Sequence, residues 1–404
     1  MRRTLFAAFL YIAAHAAFAQ IPIIATHTLT PTADDLGDVP LYADVEFGAA
    51  VAIDGNRLAI GMPGYNEHVG RVGIYHRTAA GWRRTATLSP SNSEDIFFGR
   101  ALDMDGHILA VATRGAGYLF RELKDGSWQQ IGRVSLGNRN AQSQTQVAYD
   151  NDVLALSRIG IDADGNELPG SVYLYRRCAE HGVHPTPIAR LKASDGFAGN
   201  GFGASLALER GVLVVGAPST PGAYVFVRSS QGWTQRQKLL GSTAGGVGPA
   251  GGNSQFGAAV AIRDGVILAG APNLNLPGDE QTTSPEGNAY VFLPSGNGWF
   301  ESQALNPDGQ FFALFGKHVA MGRGMIGVTI PILEAVMSTH GAALVFDWVG
   351  QELTHEHGAT GIPEGWRTTD LDFSGRTLVV GMNEYEFAAP SQIGQVRIVQ
   401  FAED

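Results

Sequence analysis

The chain has 404 residues, 44% of them hydrophobic and 16% charged, with 53 glycines and a net charge of −10. That composition excludes a disordered chain, and an acidic balance without a basic stripe argues against nucleic acid as a partner. The lone cysteine, Cys178, cannot form an internal disulfide, so stability must come from a large core.

The first 19 residues read as a secretory signal peptide. Arg2 and Arg3 give a positive start, Leu5 to Ala14 an apolar run, and Ala17-Phe18-Ala19 an A-x-A cleavage site. The apolar run is too short to span a bilayer, and no later segment offers about 18 uncharged apolar residues in a row. The expectation is a soluble mature protein, residues 20–404, secreted or periplasmic, with no membrane span.

Next comes Thr26-His27-Thr28-Leu29-Thr30-Pro31, which copies Thr85-Ala86-Thr87-Leu88-Ser89-Pro90 further on. From Phe47 the chain writes one hairpin repeatedly, in gapless fifteen-residue segments starting at 47, 98, 143, 202, 256, 315 and 367. Counting the first position as zero, offset four holds Val51, Leu102, Val147, Leu206, Val260, Val319 and Leu371. Offset eleven holds Leu58, Leu109, Leu154, Leu213, Ile267, Ile326 and Leu378. Offsets six and thirteen are apolar in every copy as well, a pattern with a chance probability of about one in ten billion. The spacing within each pair is the strand period. The residues between the pairs are turn formers, as in Asp54-Gly55-Asn56 and Asp264-Gly265.

Each hairpin is followed by a third strand, in most copies opened by Gly and closed by an aromatic, as in Gly70 to Tyr75 and Gly287 to Phe292; Pro221 replaces the Gly in one copy and Val399 the aromatic in another. A fourth often runs from Trp to an aliphatic: Trp82 to Leu88, Trp128 to Val134, Trp233 to Leu239, Trp299 to Leu305. Four strands per repeat predict an all-β, seven-bladed β-propeller of four-stranded antiparallel blades, forming one domain over residues 20–404. The seventh copy lacks its fourth strand. The spare strand at Thr26–Leu29 supplies it, closing the ring and removing the open sheet edges.

Phe47-Gly48 with Gly61-Met62-Pro63, Phe202-Gly203 with Gly216-Ala217-Pro218, and Phe256-Gly257 with Gly270-Ala271-Pro272 resemble the FG-GAP repeat of the integrin alpha N-terminal propeller. Phe98-Gly99 and Phe315-Gly316 keep the first half of the motif, and the copies at 143 and 367 only the apolar pattern. The resemblance implies an extracellular binding or adhesion module, with a protein or glycan as partner. Members of the family often carry a calcium loop between the first and second strands. Here those turns are too short and too poor in oxygen ligands, so no cofactor is expected. Asp162-Ala163-Asp164-Gly165-Asn166-Glu167 is the nearest likeness to such a loop, with Asp162, Asp164 and Asn166 as weak metal candidates, but it lies between strands two and three.

Loop length points to one face as the binding surface. The first-to-second turns are tight, whereas second-to-third loops and the links between blades vary widely, and both variable classes emerge on the same side. That face would carry Asp34, Asp35, Asp38, Tyr65, Glu94, Asp95, Asp279, Glu280, Glu384 and Tyr385. Of these, Tyr65, Glu94, Asp95, Asp279, Glu280, Glu384 and Tyr385 are the candidate binding residues.

Catalytic signatures are missing from the sequence. Gly245–Gly252 lacks the Lys-Ser/Thr of a phosphate loop, and no G-x-S-x-G elbow occurs. His355-Glu356-His357, and Cys178 with His181 and His184, fall short of a metal-ligand set. The recurring Trp reads as packing within the repeat. Small residues line the inward offset of the first strand, except Asp103 and Asp372. Two acids on one wet cavity with a basic partner would favour a propeller hydrolase or lyase instead, and a large flat apolar patch a structural subunit of a surface assembly. The expectation is a monomeric binding protein that is not an enzyme.

Overall fold

The repeated apolar pairs fold as hairpins. The computed structural model describes residues 22–32, 45–137, 144–159, 168–178, 182–242, 254–274, 287–305, 314–330, 342–349, 352–358, 366–384 and 394–402. The first strands of the seven blades run Val51–Asp54, Ala101–Asp105, Val147–Asp150, Ser205–Glu209, Val260–Arg263, Val319–Gly322 and Trp366–Ser374. In every blade two residues separate the first strand from the second. In two of these turns both residues have positive φ, Arg210 with Gly211 and Asp264 with Gly265. Such turns match the right-handed twist of the strands they join.

Each hairpin continues through a third and a fourth strand into an antiparallel sheet, so the fold is a seven-bladed β-propeller. Blade 3 departs from the pattern. It has no Trp at the fourth-strand position, its fourth edge is the short Ala189–Leu191, and Gly182–Val183 pairs beside it. The closing strand is where the sequence places it. Ile23–Leu29 pairs antiparallel with Gln395–Phe401, with Thr26 opposite Val399 and Leu29 opposite Val396.

The core is a ring of wedges, one between each pair of neighbouring blades. Val379, Val396 and Ile398 of blade 7, for example, pack with Val51, Leu58 and Ile60 of blade 1. Offset eleven is fully buried in all seven copies, Leu58 through Leu378. The first strand is looser: Leu102, Leu206, Leu208 and Ile262 are half-buried, because that strand edges a central cavity. The recurring Trp82, Trp128, Trp233 and Trp299 each pack against one of the wedges.

The two halves of the Phe-Gly and Gly-x-Pro text meet across blade boundaries. All five phenylalanines (Phe47, Phe98, Phe202, Phe256, Phe315) are fully buried. A Cβ on Gly61 would run into the Gly99 carbonyl of the next blade, and one on Gly216 into the carbonyl of Gly257. Gly99 and Gly257 themselves sit at φ +92° and +88°, where a side chain is strained.

Candidate functional site in the central cavity and on the loop-rich face

The first strands of all seven blades wall a central cavity of about 810 Å³. A first strand is the inner edge of its sheet, so half of its N–H groups have no ladder partner. Side chains from the preceding blade satisfy several of them by one rule: the side chain at offset n accepts from the N–H at offset n + 1 of the next blade. Asp54 accepts from Gly106 at 2.7 Å, Asp105 from Asn151 at 2.7 Å, and Asp150 from Arg210 at 2.8 Å. Glu209 accepts from Asp264 and Gly265 at 3.0 and 3.1 Å. Across the seam between blades 7 and 1 the ladder has three rungs, Asp370 to Val51 (2.8 Å), Asp372 to Ile53 (2.7 Å) and Ser374 to Gly55 (2.7 Å).

Asp103 and Asp372, the two breaks in the small-residue pattern, both line this cavity. Each commits both carboxylate oxygens to backbone. Asp103 accepts from Tyr149 and from its own neighbour Met104, at 2.6 and 2.8 Å. Asp372 accepts from Ile53 and Phe373, both at 2.7 Å. Removal from bulk water dominates their titration. Burial pushes Asp103 up to about 7 and Asp370 up to about 6, against the lowering effect of their backbone N–H bonds. Burial likewise holds Asp372 well above the ordinary carboxylate range, with Asp103 adding repulsion. The basic residues on the cavity wall are Arg100, Arg263 and Lys317, together with His318, whose imidazole burial depresses to about 3.

The loop-rich face differs sharply from the opposite one. Second-to-third connections range from three residues (113–115) to sixteen (272–287), and the links between blades arrive on the same side. Tyr65 lies there, half-buried, with the Arg71 guanidinium 3.8 Å over its ring. Glu94 is exposed on the link into blade 2. Asp95, next to it, is 4% exposed and holds that link in place. Its carboxylate accepts from the Tyr118 hydroxyl at 2.7 Å and pairs with Arg133 at 2.6 and 2.9 Å. Desolvation and this acid push the Tyr118 phenol up to about 12. Asp195 repeats the clamp on the link into blade 4, with Tyr224 and Lys238 each at 2.7 Å. The clamp was not visible in the sequence, because its members lie on three separate elements. Of the remaining candidates, Asp34, Asp35, Asp38, Asp162, Asp164, Asn166, His181, Asp279, Glu280 and Tyr385 lie outside the described residues, as do residues 1–19, where a signal peptide is expected. Glu384 ends the strand Thr377–Glu384, opposite Trp366.

The FG-GAP repeat family matches residues 186–226, the segment that holds Phe202-Gly203 and Gly216-Ala217-Pro218. With seven blades built on that repeat, the assignment is plain. The chain is an FG-GAP β-propeller. A crystal structure of a protein from Lactobacillus plantarum is similar in fold, with a TM-score of 0.52 and 14% identity over 78% of this chain and 86% of that one. No curated protein matches the sequence.

In this FG-GAP propeller the first-to-second turns are two residues long, and the acids that flank them, Asp54, Asp105, Asp150 and Glu209, point to the next blade's N–H groups. Among the described residues no three His, Cys, Asp or Glu side chains converge as a metal site would require. His184 Nδ1 accepts from the backbone of Thr186, and Cys178 is half-buried and free. No described helix is long and apolar enough to cross a membrane.

Proposed function

We propose that this FG-GAP propeller is an exported, monomeric binding or adhesion module that takes an extracellular or cell-surface protein or glycan on its loop-rich face, without calcium and without catalysis. The observation that carries this reading is the asymmetry of the loops. One face offers two-residue turns from every first strand, and the other offers connections of three to sixteen residues. Variable loops on a rigid scaffold are where recognition concentrates. The leader-like N-terminus supports export. Against an enzyme stands the use of Asp103 and Asp372, each with one oxygen occupied in joining blades and the other on the next N–H of its own strand.

The test is an array of glycans and surface proteins probed with the mature chain, with and without a calcium chelator. Tyr65→Ala, Asp279→Ala and Tyr385→Ala should each weaken a hit about tenfold, and Asn56→Ala and Gln231→Ala on the turn face should leave it unchanged. The reverse pattern would put the site on the wrong face. A second reading, a hydrolase or lyase acting in the cavity, draws on Asp103, whose pKa of about 7 suits proton transfer. It predicts turnover of a bound glycan that Asp103→Asn abolishes.

A further inference from the structure

The two mouths of the cavity differ in charge. At the turn side stand Asp54, Asp105, Asp150 and Glu209, with Arg263. At the loop side, where first strands begin, stand Arg100 from blade 2 and Lys317 from blade 6, with Gln144, Gln146 and Gln255 between them and one acid, Asp370 of blade 7, at the depth of Gln146. Arg114 lies beside Arg100. Its backbone is pinned, the N–H bonding to the Ile96 carbonyl at 3.0 Å and its own carbonyl accepting from Thr145 at 3.2 Å. Its guanidinium sits 4.4 Å over the Phe97 ring, and His68 stacks on the same ring at 4.7 Å. The Arg114 Nε is buried with no hydrogen-bond partner. Burial and the Arg114 charge hold Arg100 below its ordinary pKa, with Glu46 the acid that opposes them. The two guanidinium groups repel each other on a fixed backbone, and Glu46 offsets their charge only in part, so a ligand anion between them is favoured.

We propose that Arg100 and Arg114 bind the carboxylate of a uronic acid in an acidic glycan at the loop-side mouth of the cavity, with Gln144, Gln146 and Gln255 facing the sugar hydroxyls. The inference rests on the binding-module reading and narrows its ligand. A planar carboxylate suits the guanidinium fork, the amides both donate and accept as hydroxyls require, and the Phe97–His68 pair gives a sugar ring an apolar edge. Lys317 across the mouth adds long-range attraction, which is screened by salt.

Oligogalacturonate and its methyl ester, the same backbone without the charge, are the probes for calorimetric titration of the mature chain. The free acid should bind at least tenfold more tightly than the ester. Arg100→Gln and Arg114→Gln should each cut that binding 10- to 100-fold, the range expected for a charged hydrogen-bonding group. Arg114→Lys should lie in between, and thermal melts should be unchanged. If Arg114→Gln fails to fold, Lys317→Gln, an exposed position, serves in its place and should flatten the salt dependence. Equal binding of acid and ester, or parent-like binding by the arginine variants, overturns the proposal and leaves the binding module standing. Binding of polyglutamate with none of the sugars also overturns it. Failure to bind any glycan or surface protein overturns both.

Discussion

At the residue scale, the inner wall of the ring uses carboxylates as backbone acceptors. Asp103 is the clearest case, with one oxygen on Tyr149 N–H and the other on Met104 N–H. Asp103→Asn puts an amide donor against one of these donors, so the expected loss is about 1–3 kcal/mol in urea unfolding. The same group makes stability depend on pH. Its folded pKa, about 7, lies above the unfolded value near 4, so its contribution is complete below pH ~4 and is lost as pH rises through 7. His318 works in the opposite direction. Its folded pKa, about 3, lies below the unfolded value near 6.5, so its contribution is present above that value and is lost as pH falls. Comparing parent with Asp103→Asn cancels the histidine. The deficit of the variant should shrink between pH 5 and pH 8, and a constant deficit would remove Asp103 as the titrating group. The sequence marked Asp103 and Asp372 as exceptions to a row of small residues. Their role stayed hidden because their partners, Tyr149 and Ile53, belong to other blades, the second 319 residues away.

At the element scale, the FG-GAP motif is a contact between consecutive blades rather than a property of one hairpin. The glycine at offset fourteen of one blade faces the glycine at offset one of the next, as Gly61 faces Gly99, Gly216 faces Gly257, Gly270 faces Gly316 and Gly381 faces Gly48. The two copies that lack Phe-Gly follow blades with Ala112 and Thr329 at offset fourteen, so motif halves are lost in pairs. Blade 3 breaks the pairing, with Ser157 against Gly203. Gly216→Ala should therefore cost about 1–3 kcal/mol through overpacking, while Ala112→Gly should cost no more than about 1 kcal/mol. Equal melting shifts for the two would contradict the pairing. Hairpins, turns and the blade count were all legible, because each rests on residues adjacent in sequence. The Tyr118–Asp95–Arg133 clamp was not, and Asp95 read as a candidate binding residue of the loop face rather than as a buried structural acid. Asp95→Ala strands a buried phenol and a guanidinium together, so it should cost about 3–5 kcal/mol by the reckoning for a broken buried pair. Asn at the same position, which still accepts from Tyr118, should recover part of that loss.

At the scale of the whole molecule, one pairing turns a curved row of sheets into a closed ring. The strand Ile23–Leu29 buries little of its own surface, and Ile23 and Ile24 stay about half exposed (46% and 57%). Its contribution is the backbone ladder it offers Gln395–Phe401, together with the cover it gives an edge that would otherwise be open. A truncated chain that starts at Thr30 should consequently keep its inter-blade wedges but lose that cover. The expected result is a lower melting temperature with strand content retained by circular dichroism, and concentration-dependent association in light scattering as exposed edges pair between molecules. A synthetic peptide of Pro22 to Leu29 should compete for that edge and restore the monomer. A truncated chain that stays monomeric and melts like the parent would mean that the ring is held by the Asp370, Asp372 and Ser374 rungs across the blade 7–1 boundary alone. In that case the triple Ala variant at those three positions, rather than the truncation, should be the one that opens it.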